Sequence, residues 1–272
     1  MICLLASWPK SGNTWMRSLI CNYLKGKQVS INEMAKTIPI DSSRGIWTEY
    51  LGMPNYEGMD AVNNRVKMYK ALAEKVGDIR LFLKSHSANL TINKHQMFDM
   101  KYVDRVVHIV RNPFDVLPSF AHHMGIGIED AWMKMQKDSL AMNGSEKQHR
   151  EVSSSWMLHT NSFLSIANNP DRYLFVRYED LKMKPITTFK KVVEFVGLNY
   201  SEERLVGAIY RSSFENLKSQ EETDGFKEKA KDRTFFRKGQ IGSFKDEVPE
   251  KIREEMKVKY ADICKKLKYQ IK

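Results

Sequence analysis

The chain has 272 residues, of which 42% are hydrophobic, and carries 44 lysines and arginines against 33 acids, a net charge of +11. The apolar share is enough for a sizeable core, and the length fits one large α/β domain or two small ones. Three cysteines (Cys3, Cys21 and Cys264) exclude a disulfide framework, and no apolar stretch is long enough to span a bilayer. The charge favours an anionic partner without separating nucleotide, nucleic acid, acidic glycan and membrane surface, and a merely solvated basic surface would give the same excess. Met1 runs straight into an apolar segment with no basic leader or cleavage site, so a cytoplasmic protein in a reducing compartment is expected.

Ile2, Leu4, Leu5 and Ala6 read as a short buried strand, and a helical pattern begins near Thr14, with Trp15, Leu19 and Leu24 on one face. Between them lies Pro9-Lys10-Ser11-Gly12-Asn13-Thr14-Trp15. A turn of this composition between strand and helix points backbone N–H groups at an anion, and lysine adds a mobile charge. It is not a Walker A loop, because Lys10 precedes Gly12 and no glycine opens the turn. The Pro-, Gly- and aromatic-rich run from Ile38 to Gly58 reads as an ordered irregular insertion. Ile79 to Lys84 forms a second predicted strand, with Ser85 and His86 just beyond it. A histidine there suits a general base, its ordinary pKa being near neutral.

Val106 to Val110 is a third predicted strand, followed by Arg111, an Asn112 cap and Pro113 at the first turn of a helix. Arg111 can grip a phosphate through two hydrogen bonds, and Ser119, two turns along, can offer a hydroxyl to the same group. His122 and His123 could face an acceptor pocket, but helix-surface positions are the first reading of them. Tyr173 to Val176 is the fourth strand, Pro185 opens a helix whose stop is Gly197, and Pro249 opens the last. Gln220 to Arg233 reads as a mobile charged surface loop and a candidate lid. Phe235 to Lys245 holds adjacent cations, Arg237 and Lys238, beside Gly239. With no internal repeat and no linker, residues 1–272 form one domain. The expected fold is α/β, a central parallel sheet flanked by helices with a P-loop-like nucleotide site at the carboxyl ends of its strands.

Taken singly, these features are also consistent with an ordinary turn, an ion-paired arginine, a structural histidine and a basic surface loop. Jointly they resemble the cytosolic-type family of sulfotransferases, which use 3′-phosphoadenosine 5′-phosphosulfate (PAPS) and release 3′-phosphoadenosine 5′-phosphate (PAP). The resemblance runs from the first strand to about Lys245. It implies that Lys10 to Trp15 surround the 5′-phosphosulfate, and that Arg111 and Ser119, with Arg237, Lys238 and Gly239, hold the 3′-phosphate. It implies that Tyr178, in Arg177-Tyr178-Glu179-Asp180-Leu181, and the segment Ser212-Ser213-Phe214 contact the nucleotide. His86 matches the catalytic base. Three departures are conservative: Asn13 and Ser85 each stand where threonine is common, and Phe244 where tryptophan is frequent.

On this reading Lys10 and Lys84 stabilise the leaving phosphate and the sulfuryl oxygens while His86 takes the acceptor's proton. No metal is required, and Trp15, Phe214 and Phe235 pack around adenine. The acceptor is a small molecule with a hydroxyl or amine, in a pocket drawn from Trp47, Tyr50, Met53, Met59, Met124 and Trp132 if these converge. Nucleic acid is not expected as a partner, and the oligomeric state is left open, since the valine-containing dimer signature is missing. The rival readings are a P-loop kinase or NTPase and a non-catalytic binder of anionic polymers.

Overall fold

The computed structural model describes residues 1–52, 59–77, 79–142, 144–230 and 233–270. The chain enters through strand β1 (Ile2–Ser7), turns into helix α1 (Asn13–Lys25), and continues through α2 (Met34–Thr37), α3 (Arg44–Leu51) and α4 (Met59–Val76). Strand β2 (Leu81–Ser85) precedes a small hairpin, β3 (Thr91–Ile92) and β4 (His95–Gln96). Strand β5 (Arg105–Val110) leads into α5 (Pro113–Met124), α6 (Ile128–Met135) and α7 (Trp156–Leu164). After β6 (Tyr173–Arg177) come α8 (Tyr178–Met183), α9 (Pro185–Phe195), α10 (Glu202–Arg211), α11 (Phe214–Asp224), α12 (Phe244–Glu247) and α13 (Glu250–Lys266).

The main sheet has strand order β2-β1-β5-β6, every pair parallel. All six residues of β1 are buried, as a strand covered on both faces requires. Side chains alternate between faces. Cys3, Leu5, Val107 and Ile109 join a core with Met16 and Leu19 of α1, Val192 and Val193 of α9, and Leu205 of α10. Ile2, Leu4, Ala6, Leu83 and Val106 face the opposite way, onto Met68 and Tyr69 of α4 and Phe163 of α7. A third cluster packs Phe114 and Phe120 of α5 against Trp132, Trp156 and Tyr260.

The register aligns Ala6 with Ser85 on one side and with His108 on the other, and Val110 with Arg177. The strands therefore deliver the turn after β1, His86, Arg111 and Tyr178 to one edge of the sheet, the place where open α/β sheets bind ligands. The predicted caps form: Asn112 accepts from the Phe114 N–H at 3.0 Å, and Gly197, at φ 70°, follows the Val196 cap of α9.

The sequence reading needs correction in three places. Strand β2 begins at Leu81, while Ile79 stands 72% exposed before it. The Ile38 to Gly58 run contains a regular helix, α3, closed by Gly52 in the left-handed conformation at φ 67°; residues 53–58 lie outside the described residues. Gln220 to Arg233 is not loop throughout the residues described. Its first five residues complete α11, and Phe226 is buried against Phe235 and Phe236, ring centroids 4.9 and 5.9 Å away. One aromatic anchor outweighs a hydrophilic composition. No helix among the described residues is long and apolar enough to cross a membrane.

Candidate active site

A cavity of about 480 Å³ opens at the carboxyl edge of the sheet. Its floor is the turn from β1 into α1, which bends sharply: Lys10 (φ 65°) and Gly12 (φ 105°) are both left-handed. Glycine is needed at position 12 for a second reason, since a Cβ there would stand 2.8 Å from the Tyr178 ring. Tyr178 also meets Trp15 edge-on, centroids 5.5 Å apart. The turn is thus fixed by the residue that opens α8.

Arg111 ties this floor to the late loop. Its guanidinium lies 4.5 Å from the Tyr178 ring centre and donates to the Gln240 carbonyl at 2.9 Å and, more weakly, to the Lys10 carbonyl at 3.5 Å. The late loop is held from below by Asp115 of α5, whose carboxylate accepts from the backbone N–H of Gly242 at 2.7 Å and of Phe244 at 3.2 Å. Its entrance is held by Glu221 of α11, which accepts from the N–H of Phe235 at 2.6 Å and of Phe236 at 2.8 Å. Gly239 is left-handed and packs so closely on Phe214 that no side chain would fit. Arg237 and Lys238 both pair with Glu247, Lys238 at 3.0 Å.

The remaining charges form a second group. Glu228 accepts from Arg17 at 2.7 and 2.8 Å and from Lys84 at 3.1 Å. Burial alone would raise its pKa, but Lys84 and Arg17 outweigh this and hold it down to about 2. Lys10 lies 3.6 Å from the centre of the Phe235 ring. Burial first, then the positive charges of Arg111 and Lys84, pull its pKa down to about 7.

His86 Nδ1 is 2.8 Å from the Ser7 carbonyl, which only accepts, so Nδ1 carries the proton and Nε2 keeps its lone pair. Burial, then Lys84, hold its pKa well below the usual histidine value, rather than near neutral as the sequence suggested. His86 is therefore a neutral imidazole in one tautomer.

The structure brings together at the cavity wall Lys10, Gly12, Asn13, Thr14, Trp15, Lys84, His86, Arg111, Ser119, Tyr178, Phe214, Phe235, Arg237, Lys238 and Gly239. Ser11, Ser212 and Ser213 do not line it. Ser11 is buried beneath the turn, with no partner for its hydroxyl. Ser212 is buried between Ser18 and Asn22 of α1, both 2.9 Å away, and Ser213 caps α11 by accepting from the Asn216 N–H. These two serines place Phe214 rather than reaching the cavity. The Asn13 amide is not free to donate outward, because it donates inward to the Leu5 carbonyl at 2.9 Å and the Ser7 hydroxyl at 3.2 Å.

The predicted acceptor pocket does not assemble. Trp132 belongs to the core around Tyr260, Trp47 is fully buried against His149, Tyr50 packs at the α3–α4 edge, and Met124 is exposed. Met53 and the side chain of Met59 lie outside the described residues. Ile40, His123, Met142, Gln148 and Glu151 also line the cavity. His123 is not a surface residue, since the turn of α5 aims it at the cavity beside Phe235. Burial and the nearby charges of Lys10 and Lys84 lower its pKa to about 4. Lys227 and Lys229, both exposed, also line the wall. Arg17, Asp115, Glu221 and Glu228 were missed because each acts through a partner distant in sequence.

Fold and site together define a parallel α/β protein with a cation-lined cavity beside a neutral histidine. The sulfotransferase domain family matches residues 3–269, and the chain belongs to that family. Rat sulfotransferase 1A1 is 29% identical over 225 residues, 79% of this chain and 66% of that protein. Cytosolic sulfotransferase 12 of Arabidopsis thaliana is 24% identical over 265 residues, 93% of this chain and 74% of that protein. Among solved structures, mouse sulfotransferase SULT7A1 complexed with PAP matches at TM-score 0.65 and 18% identity, covering 96% of this chain and 83% of that one. Retinol dehydratase in complex with androsterone and PAP matches at TM-score 0.66 and 18% identity, covering 97% and 80%. At these identities the structural likeness establishes the fold.

Proposed function

We propose that the protein is a PAPS-dependent sulfotransferase acting on a hydroxyl or amine of a small molecule. The observation that carries this reading is the convergence, on one cavity, of a lysine-bearing anion turn, an arginine fixed across two loops and a histidine held in one neutral tautomer. The nucleotide bound in the two structural neighbours, PAP, has two phosphate groups, and the chain offers two cationic groups for them.

Bound PAPS supplies the sulfuryl group and an anionic leaving phosphate. Every other task falls to the chain. The turn N–H groups and Lys10 hold the 5′-side anion. Arg111, Ser119 and the late loop hold the 3′-phosphate, with Arg237 and Lys238 exchanging Glu247 for it. Trp15, Phe214 and Phe235 flank the base. His86 Nε2 takes the acceptor's proton, while Ser7 fixes the ring through Nδ1. Lys84 and Lys10 stabilise the charge that grows on the leaving group.

The test is transfer of radiolabelled sulfate from PAPS to a mixture of simple phenols, alcohols and amines. Transfer by the wild type with loss in H86A, while PAP binding is retained, supports the reading. Wild-type transfer undiminished in H86A rules out the base, and a wild type that hydrolyses ATP instead rules out the class.

A further inference from the structure

Among the described residues, five acidic side chains are essentially removed from solvent: Asp41, Asp115, Glu151, Glu179 and Glu221. Three are partnered at both oxygens, and Asp41 at one, its Oδ1 being buried without a partner. Asp41 pairs with Arg65 and accepts from the Tyr69 hydroxyl at 3.1 Å. Asp115 and Glu221 each accept from at least two backbone N–H groups of the late loop. Glu179 accepts from the Asn112 N–H at 2.9 Å and the Tyr269 hydroxyl at 2.9 Å.

Glu151 differs from all four in facing the cavity. It is 6% exposed and lines the cavity, and its one hydrogen bond is a long one, from the His86 N–H to Oε1 at 3.3 Å. Oε2 accepts from no described residue. The cations that might serve it are engaged elsewhere: Arg65 with Asp41, and Lys84 with Glu228 at 3.1 Å. A buried carboxylate is normally paired or multiply hydrogen-bonded, because desolvation otherwise costs several kcal/mol, an order-of-magnitude figure. Burial first, then the neighbouring Asp41, push its pKa up against the opposing charges of Lys84 and Arg65. Its backbone is fixed, exchanging hydrogen bonds with Met142 at 2.8 and 3.1 Å, so the side chain is not a loose one that drifted inward. Gln148, three residues earlier, lines the same wall, with Ile40 and Met142 supplying its apolar part.

We infer that Glu151 is an acceptor-binding residue, and that the acceptor carries, besides the group that receives the sulfuryl, a second hydrogen-bond donor which Oε2 accepts. This rests on the sulfotransferase reading above. The geometry follows from the sequence of contacts. Glu151 meets the backbone of the very residue whose ring takes the proton, so the second donor lies within the same small molecule as the nucleophile. An acceptor with a single polar group would seal the carboxylate away unpaired. An ammonium and a hydroxyl share the required chemistry.

The experiment uses three phenols of matched size: 4-propylphenol, 4-(2-hydroxyethyl)phenol and tyramine, which end in methyl, hydroxyl and ammonium. PAP binding is measured first, and its failure in the wild type refutes the sulfotransferase reading rather than this inference. Given PAP binding, the wild type should favour one of the two donor-bearing phenols over 4-propylphenol in kcat/KM by roughly tenfold or more, the effect of one hydrogen bond to a charged group. Preference for tyramine identifies an ammonium, and preference for 4-(2-hydroxyethyl)phenol a hydroxyl. In E151Q, which keeps an acceptor for the His86 N–H, a tyramine preference over 4-propylphenol should vanish and a hydroxyl preference shrink. A wild type that makes no distinction, prefers 4-propylphenol or turns over none of the three overturns the inference, and so does an unchanged preference in E151Q. The wild-type ratios need no variant, so misfolding of E151Q leaves the test intact.

Discussion

At the scale of single residues, two titrations separate binding from chemistry. Lys10 has a pKa of about 7 before any anion arrives, because burial and two neighbouring cations disfavour its charge. An anion at the turn favours the charged form, so binding raises that pKa and draws a proton from solvent. PAP binding should therefore take up a proton between about pH 7 and 9, and affinity should fall as pH rises through that window. Calorimetry in buffers of differing ionisation enthalpy reads this directly, and K10A should abolish the uptake. His86 runs the other way. A base works only when neutral, and its pKa is held well below the usual value. The acidic limb of kcat should accordingly lie below pH ~6.5, the ordinary histidine range. H86A should lower kcat by about two to four orders of magnitude, the usual worth of a positioned base, with PAP affinity little changed. An acidic limb at or above the ordinary value would mean that His86 is solvated and charged.

At the scale of elements, the carboxylates beneath the loops decide where the cations stand. Asp115 lies in the first turn of α5 and accepts from the backbone N–H groups of Gly242 and Phe244 and from the Ser243 hydroxyl. D115A removes the acceptor from two backbone N–H groups at once, each costing about 1–3 kcal/mol where it stays buried. PAP affinity should fall at least tenfold, by roughly 1.4 kcal/mol or more, while ADP affinity falls less, because the late loop serves the 3′-phosphate. Equal losses for both nucleotides in calorimetry would show that Asp115 supports the whole fold rather than that loop. None of this was legible in the sequence. The strands were, because parallel strands buried on both faces read as continuous apolar runs. The turn and caps were legible because Lys10, Gly12, Asn112 and Pro113 act on their own neighbours. Arg17 and Glu228, by contrast, are separated by 211 positions, and Asp115 and Gly242 by 127, so only the folded chain brings out their roles. The acceptor wall failed for the same reason. Apolar spacing marks Trp47 and Trp132 as buried, but it does not say in which cluster.

For the whole molecule, one ion-paired cluster joins the first helix, the second strand and the segment after α11. Arg17 is fully buried, Lys84 is nearly so, and Glu228 bridges them. Glu228 has its pKa depressed from 4.5 to about 2, so its contribution is complete above the unfolded value and is lost as pH falls from there through the folded one. That shift corresponds to about 3 kcal/mol at an order-of-magnitude level. Urea unfolding should show stability declining on this account between about pH 4.5 and 2, and E228Q should lack that component. An unchanged acid profile in E228Q would contradict the bridging role.

The measurement that tests the central claim most directly is calorimetric binding of PAP, with ADP and ATP–Mg²⁺ as controls. Tight binding of PAP that weakens sharply when the 3′-phosphate is absent is the result predicted by the Arg111 and late-loop site. No binding of PAP, or a preference for ATP–Mg²⁺, would contradict it and return the chain to the kinase or NTPase reading.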